Sequence, residues 1–183
     1  MHVQVRRSND NDLQAICNTV SAAFNETEQE EKEIANLVLD LLADPTAKPF
    51  LSLVAFAEDL IVGYILFTKV LIMNSDQDVS ASILAPLAVK PAYQNIGIGS
   101  LLVNEGIKQL RDMKFELVFV LGHPTYYPKF GFVPAGKVGF KAPYSIPQEH
   151  ADAWMVKKLK PGFIENTSGK VKCADALNDP KYW

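Results

Sequence analysis

Hydrophobic positions along this chain of 183 residues follow two different periods. Spacings of three or four residues predict amphipathic helices at about 9–24, 28–42 and 97–113. Apolar and β-branched runs instead predict strands. These runs lie at 3–5, 50–57, 60–72, 83–89, 117–121, near 132, 154–159 and 170–174. The runs 50–57 and 60–72 are joined at Glu58-Asp59, which predicts an antiparallel hairpin.

The segment 83–121 reads as strand, helix and strand, and such a crossover usually produces a parallel pair, here 83–89 with 117–121. Pro86 interrupts the first of these strands. Because proline cannot donate a ladder hydrogen bond, it predicts a bulge or a local loss of pairing. No repeat or linker divides the chain. We therefore expect one domain over 1–183, with a mixed α+β fold around one mostly antiparallel sheet flanked by helices.

Composition narrows the class of partner. A formal net charge of −3 and a pI of about 5.6 leave no broad cationic surface, so nucleic acid is not an expected partner. The first residues lack the apolar run of a signal peptide, and no run approaches the roughly 20 residues of a membrane span. We expect a cytoplasmic protein that does not bind membranes. Cys17 and Cys173 have no neighbouring Cys or His, so no metal site is expected.

The segment Gln94–Gly99 connects a buried strand to a helix and contains Gly97 and Gly99. Such a turn can direct unpaired backbone N–H groups at an anion, assisted by the positive end of the helix dipole. Residues without a Cβ let a phosphate approach the main chain closely, and they tolerate the backbone angles that such a turn requires. Glycines at this position also serve tight packing, so the motif alone leaves both interpretations open.

Two familiar phosphate motifs are excluded. Leu102 stands where the dinucleotide fingerprint needs its third glycine. The Gly-Lys pairs at 136 and 169 are each followed by Val, so there is no P-loop. If this turn binds a pyrophosphate, it must belong to another class of pyrophosphate-binding motif.

Residues 87–102, from Leu87-Ala88-Val89 through Gln94-Asn95-Ile96-Gly97-Ile98-Gly99, resemble the acetyl-CoA signature of the GNAT N-acetyltransferase superfamily. Residues 122–134 are similar to its Tyr-x-x-x-Gly-Phe element and to one bacterial branch of predicted acetyltransferases. The resemblance implies a GNAT-like fold. It also implies direct transfer of the acetyl group of acetyl-CoA to a primary amine of a small molecule or polypeptide.

The resemblance further implies a set of site residues. Leu87, Ala88 and Val89 would pair through their backbone with the pantetheine arm. The pyrophosphate would be held by the turn and the residue that follows it. These residues are Gln94, Asn95, Ile96, Gly97, Ile98, Gly99 and Ser100. Asn95 and Ile96 replace basic or glycine residues of many relatives, so affinity would depend more on backbone dipoles.

Two of the implied residues are catalytic. The backbone N–H of Leu87, or of a neighbour, would polarise the thioester carbonyl. Tyr127 would contact the cofactor and act as general acid to the CoA thiolate. Tyr126 is interpreted as a packing or pocket-lining residue.

The general base and the acceptor amine are not identified by the sequence. No ionisable residue lies between Ile83 and Val89, so the general base is unassigned, and His123 is interpreted as a structural turn residue. Asp76 and Asp78 weakly favour a cationic acceptor amine. The resemblance allows a homodimer, for which the sequence carries no explicit signal.

Two other classes of function remain. One is an acyl-CoA-binding regulatory or sensor module with little or no turnover, which the missing strand carboxylate keeps open. The other is an interaction domain whose glycine turn is purely structural. Tyr127 favours the enzyme.

Overall fold

The predicted helices and strands are all present in the computed structural model, which describes residues 2–24, 27–75, 78–161 and 167–183. The helices of this part of the chain are α1 (Leu13–Ala23), α2 (Glu28–Ala43) and α3 (Ile98–Asp112). Its strands are β1 (Val3–Arg7), β2 (Leu51–Ala57), β3 (Leu60–Met73), β4 (Ala81–Val89), β5 (Leu117–Leu121), β6 (Val133–Pro134), β7 (Phe140–Lys141), β8 (Trp154–Lys158) and β9 (Gly169–Lys172). The proline–glycine pair Pro161-Gly162 predicts a turn before the last strand, and this turn lies partly outside the described residues.

The strands form a mixed sheet in the order β1-β2-β3-β4-β5-β8-β6. Strands β4 and β5 are parallel and the other neighbours along this path are antiparallel, which confirms the α+β prediction and the expected hairpin of β2 and β3. Strand β8 lies between β5 and β6. The sequence pattern did not predict β7, which pairs in parallel with β9, while β9 also pairs with the end of β3.

The helices cover the two faces of the sheet, with α1 and α2 on one face and α3 on the other. Residues of β3 alternate between the two cores because successive strand side chains point to opposite faces. Tyr64 and Leu66 pack with α1 and α2, whereas Ile65 and Phe67 pack with α3. Among the described helices, none has the length and apolar character needed to cross a bilayer.

Gly106 sets how closely α3 approaches the sheet. A Cβ on this residue would collide with the ring of Phe67, which is 1% exposed and cannot turn away. We expect Gly106→Ala to lower the free energy of unfolding by about 1–3 kcal/mol, because overpacking costs more than the helix gains from alanine. Urea unfolding measures this, with Asn104→Ala on the exposed side of α3 as the control. Unchanged stability in Gly106→Ala would contradict the prediction.

Candidate active site

Strands β4 and β5 separate part-way along the sheet. Their parallel pairing ends at Leu84 and Val120, after which β5 continues with β8 and β4 continues with β3. The separation starts directly after Leu84, at Ala85-Pro86. Leu87 pairs with Ile65 and Leu84 pairs with Phe67, so two residues of β4 face one residue of β3. The predicted bulge is confirmed, and beyond it one edge of β4 has no strand beside it among the described residues.

The register identifies which main-chain groups of this open edge point away from β3. The Lys90 N–H donates to the Val62 carbonyl at 2.9 Å. Because hydrogen-bonded and non-bonded pairs alternate along antiparallel strands, Ala88 exchanges its hydrogen bonds with Tyr64. Leu87 and Val89 therefore direct their N–H and carbonyl groups away from β3, into the gap. Ala88, expected to share in binding, directs its main chain to β3 and its side chain to the core.

The turn after β4 presents the start of α3. Gly97 is the N-cap with φ +94°, and its backbone conformation is one that L side chains rarely adopt. Asn95 also has a positive φ, at +61°. The Gln94 side chain donates to the Val89 carbonyl at 2.9 Å and ties the turn to the end of β4. The first N–H groups of a helix have no helical acceptor. At α3 the N-cap residue Gly97 also has no side chain that could accept from them.

The open edge and the turn border one cavity of about 470 Å³. The residues that line it are Leu87, Val89, Tyr93, Gln94, Asn95, Gly97, Ile98, Gly99, Ser100, Tyr126 and Lys129. Most of the residues predicted from the sequence therefore lie together. Ala88 and Ile96 do not line the cavity. Ala88 is buried in the core, and the Ile96 side chain is 57% exposed to solvent. Residues that are adjacent in the chain and were predicted to share one site thus lie in three environments: the cavity, the core and the solvent-exposed surface.

Tyr126 closes the cavity opposite the turn. A Cβ on Gly99 would lie 2.7 Å from the Tyr126 hydroxyl oxygen, so glycine is needed there for close approach rather than for backbone angle. Burial raises the pKa of Tyr126, and a hydrogen bond with Ser100 partly offsets this. Lys129 Nζ lies 4.0 Å from the centre of the Tyr126 ring, a cation–π distance. A cationic side chain is thereby held at the cavity that contains the free helix N-terminus.

Comparison with known proteins assigns the family. The protein-family model described as an acetyltransferase (GNAT) domain matches residues 4–135 of this chain. The chain belongs to the GNAT acetyltransferase family, and it is therefore an acyltransferase. It is 48% identical over 142 residues to the uncharacterized N-acetyltransferase YjhQ of Escherichia coli K12, a match covering 77% of this chain and 78% of that protein. The resemblance seen in the sequence is confirmed.

Solved structures confirm the GNAT fold. The crystal structure of YhbS from Escherichia coli in complex with CoA has a TM-score of 0.85 and 27% identity, and covers 98% of this chain and 93% of that one. A GNAT family acetyltransferase from Brucella melitensis in complex with acetyl-CoA has a TM-score of 0.75 and 27% identity. That match covers 96% of this chain and 98% of the other.

Tyr127 packs directly against Tyr126, a lining residue, and is not itself among the residues that line the cavity. Its ring packs against Gly122 and makes edge contacts with Tyr126 and Phe132 at centroid distances of 5.1 and 5.6 Å. Burial, followed by the neighbouring Tyr126, raises the pKa of Tyr127 above its ordinary value. The phenol is therefore protonated at neutral pH, as a general acid must be. Its predicted role as general acid stays a prediction.

No carboxylate lines the cavity in the part of the chain that the structure describes. His123 is exposed, and its Nδ1 lies 2.9 Å from the Thr125 hydroxyl, consistent with a turn residue. Asp76 lies outside the described residues, and Asp78 is exposed and does not line the cavity. The general base stays unassigned.

Sequence reasoning missed Tyr93 and Lys129 as lining residues. Lys129 belongs to the single helical turn Tyr127–Phe130, three residues after Tyr126. That spacing places two side chains on the same side of a turn, and it was the available signal. Tyr93 follows a Lys-Pro pair at the end of β4 and gave no comparable signal.

Proposed function

We propose that this chain transfers the acetyl group of acetyl-CoA to a primary amine by direct attack of the amine on the thioester. The observation that carries the proposal is the open edge of β4 beside the free N-terminus of α3, in one cavity. An extended chain with amide groups can add to such an edge, and phosphates suit a helix N-terminus. In acetyl-CoA the pantetheine arm carries the amide groups and the adjoining pyrophosphate carries the anionic charge, in the same order as the strand edge and the helix N-terminus.

The residues present fit the cofactor. Leu87 and Val89 offer backbone groups to the pantetheine amides. The turn from Gln94 to Gly99 and the first N–H groups of α3 offer donors to the pyrophosphate, and Lys129 adds a positive charge. Acetyl-CoA supplies an activated acetyl thioester with CoA as the leaving group. The YhbS complex with CoA and the Brucella melitensis complex with acetyl-CoA support this choice.

The chain's own groups can serve the transfer. An alkyl amine has a pKa of about 10.4 and must lose a proton, here to water, before it attacks. The C–N bond forms while the carbonyl oxygen gains charge, and the Leu87 N–H is free to donate to it. The nitrogen, now cationic, releases its second proton to water. The C–S bond then breaks, and Tyr127 protonates the departing thiolate and recovers its proton from solvent.

A direct assay tests the proposal. The purified protein is incubated with acetyl-CoA and a panel of primary amines, and CoA thiol release and acetylated product are measured. Amine-dependent release with matching product supports the transferase. Acetyl-CoA binding without release on the whole panel would favour a ligand-sensing role. Failure of acetyl-CoA to raise the melting temperature would favour a structural glycine turn.

Lys129→Gln tests the cationic wall of the cavity. We expect an acetyl-CoA dissociation constant about 5-fold higher, because an exposed charge contact is worth up to about 1 kcal/mol. Added salt should reduce the difference. Isothermal titration calorimetry measures both, with Lys108→Gln on the exposed side of α3 as the control. Equal affinities for Lys129→Gln and the parent would remove Lys129 from the site.

A further inference from the structure

A second cavity, of about 780 Å³, lies between the segment 136–154 and β9. Its wall includes Phe140, Trp154, Lys141 and Lys170. Phe140 and Trp154 belong to the core shared with α1 and α2, on the face of the sheet opposite α3. The candidate active site packs on the α3 face, so the two cavities lie on opposite sides of the sheet.

The second cavity carries a pair of positive charges that no described residue compensates. Lys141 and Lys170 are direct register partners in the parallel pair β7 and β9. Like charges directly opposite each other cost stability. Neither lysine forms an ion pair with a described residue, and no described Asp or Glu lines the cavity. A cavity lined by one sign of charge attracts an anion.

Its aromatic wall is held rigidly. The Trp154 ring stacks on Phe119 at 5.1 Å, and its Nε1–H donates to the Phe140 carbonyl at 3.1 Å. Trp183 meets Trp154 edge-on at 5.6 Å. Preformed apolar walls with a few convergent polar groups are typical of small-molecule sites. Phe140 and Trp154 are themselves buried and support the wall, while the half-buried Tyr144 and Ile146 present its apolar surface. The cavity therefore suits a small molecule with an apolar part and an anionic group.

The second cavity is connected to the active site through one strand end. Trp154 pairs with Leu121, the last residue of β5, just beyond the point where β4 and β5 separate. The next residue, Gly122, donates its N–H to the Ala153 carbonyl at 2.9 Å and packs against the ring of Tyr127. The end of β5 thus joins the wall of the second cavity to the gap beside the open edge of β4.

We propose that this cavity binds the acceptor, and that the acceptor is a small primary amine bearing a carboxylate or phosphate held by Lys141 and Lys170. The inference rests on the proposed acetyl transfer, whose acceptor class it names. The anionic group anchors the molecule at the lysines, while its apolar part lies along Tyr144 and Ile146, which are half-buried in the cavity wall. The amine then extends toward the gap between β4 and β5.

Matched amines test the acceptor class. Tyramine is compared with tyrosine, tryptamine with tryptophan, and ethanolamine with O-phosphoethanolamine, on the parent and on Lys141→Gln/Lys170→Gln. We expect the anionic member of at least one pair to have a kcat/KM about 10-fold or more higher in the parent, as close charge pairs give. The double variant should lose this preference at unchanged KM for acetyl-CoA. Lys137→Gln, an exposed lysine paired with Asp152, is the control.

The outcomes separate the two proposals. No preference in the parent, or a double variant that behaves like Lys137→Gln, would overturn the anionic acceptor. Calorimetric binding of an anionic amine, lost in the double variant but never followed by acetylation, would overturn the acceptor role and retain the anion site. Absence of acetyl-CoA binding would overturn the proposed function. Lys170→Glu gives an independent check, since Lys141 and the substituted side chain together then carry no net charge and the preference for the anionic amine should be lost.

Discussion

Replacing Gly97 with glutamate is expected to abolish measurable acetyl-CoA binding while the fold survives. The carboxylate would stand at the N-cap of α3, where the dipole and free N–H groups favour an anionic ligand, and would repel the pyrophosphate. The fold survives because a Cβ on Gly97 meets no atom within 4 Å. We expect affinity to fall at least about 100-fold, measured by isothermal titration calorimetry.

Two control variants separate charge from backbone strain. Gly97→Ala carries the unfavourable φ of +94° without the charge, so it should cost stability of about 1–3 kcal/mol and weaken binding less than glutamate does. Gly136→Glu adds the same charge at an open position away from this cavity and should bind acetyl-CoA like the parent. Equal affinities for Gly97→Glu and the parent would exclude the pyrophosphate assignment.

Tyr127→Phe is expected to lower kcat by about 100-fold or more, at an acetyl-CoA affinity within about twofold of the parent. The substitution removes only the hydroxyl, so the packing of the ring against Gly122 and Phe132 is kept. The lost group is the proposed proton donor to the thiolate. Steady-state CoA release measures turnover, and calorimetry measures affinity.

The neighbouring tyrosine is the matched control. Tyr126→Phe loses a hydroxyl at the cavity wall and its hydrogen bond with Ser100, and should change acetyl-CoA affinity more than kcat. Because burial raises the pKa of Tyr127, the acid stays protonated as pH rises through the ordinary tyrosine value of about 10. Parent turnover should show no alkaline loss from this group below that pH. Unchanged kcat in Tyr127→Phe would remove the acid role.

Local features of the sequence were sufficient for much of the site. The strand-to-helix order over 83–121 predicts the parallel pair, and the structure has it. Pro86 predicts the bulge for a purely chemical reason, since it has no N–H, and the register shifts there. Gly97 predicts a special backbone position, which its positive φ confirms.

The sequence could not predict which of two similar neighbouring residues lies at the cavity. Tyr126 and Tyr127 are adjacent aromatics, and only the direction of their helical turn places one at the cavity and the other in the core. Leu87 and Ala88 look equivalent in an apolar run. Which of them directs its main chain into the gap depends on the strand register with β3.

The sequence by itself determined the helices, most of the strands, the bulge at Pro86 and the glycine turn, because each depends on residues close together in the chain. The tertiary structure decided that β8 lies between β5 and β6, that β9 returns to β3, and that Lys141 meets Lys170. Those pairings join residues far apart in sequence, and they depend on register and packing that hydrophobic periodicity does not encode.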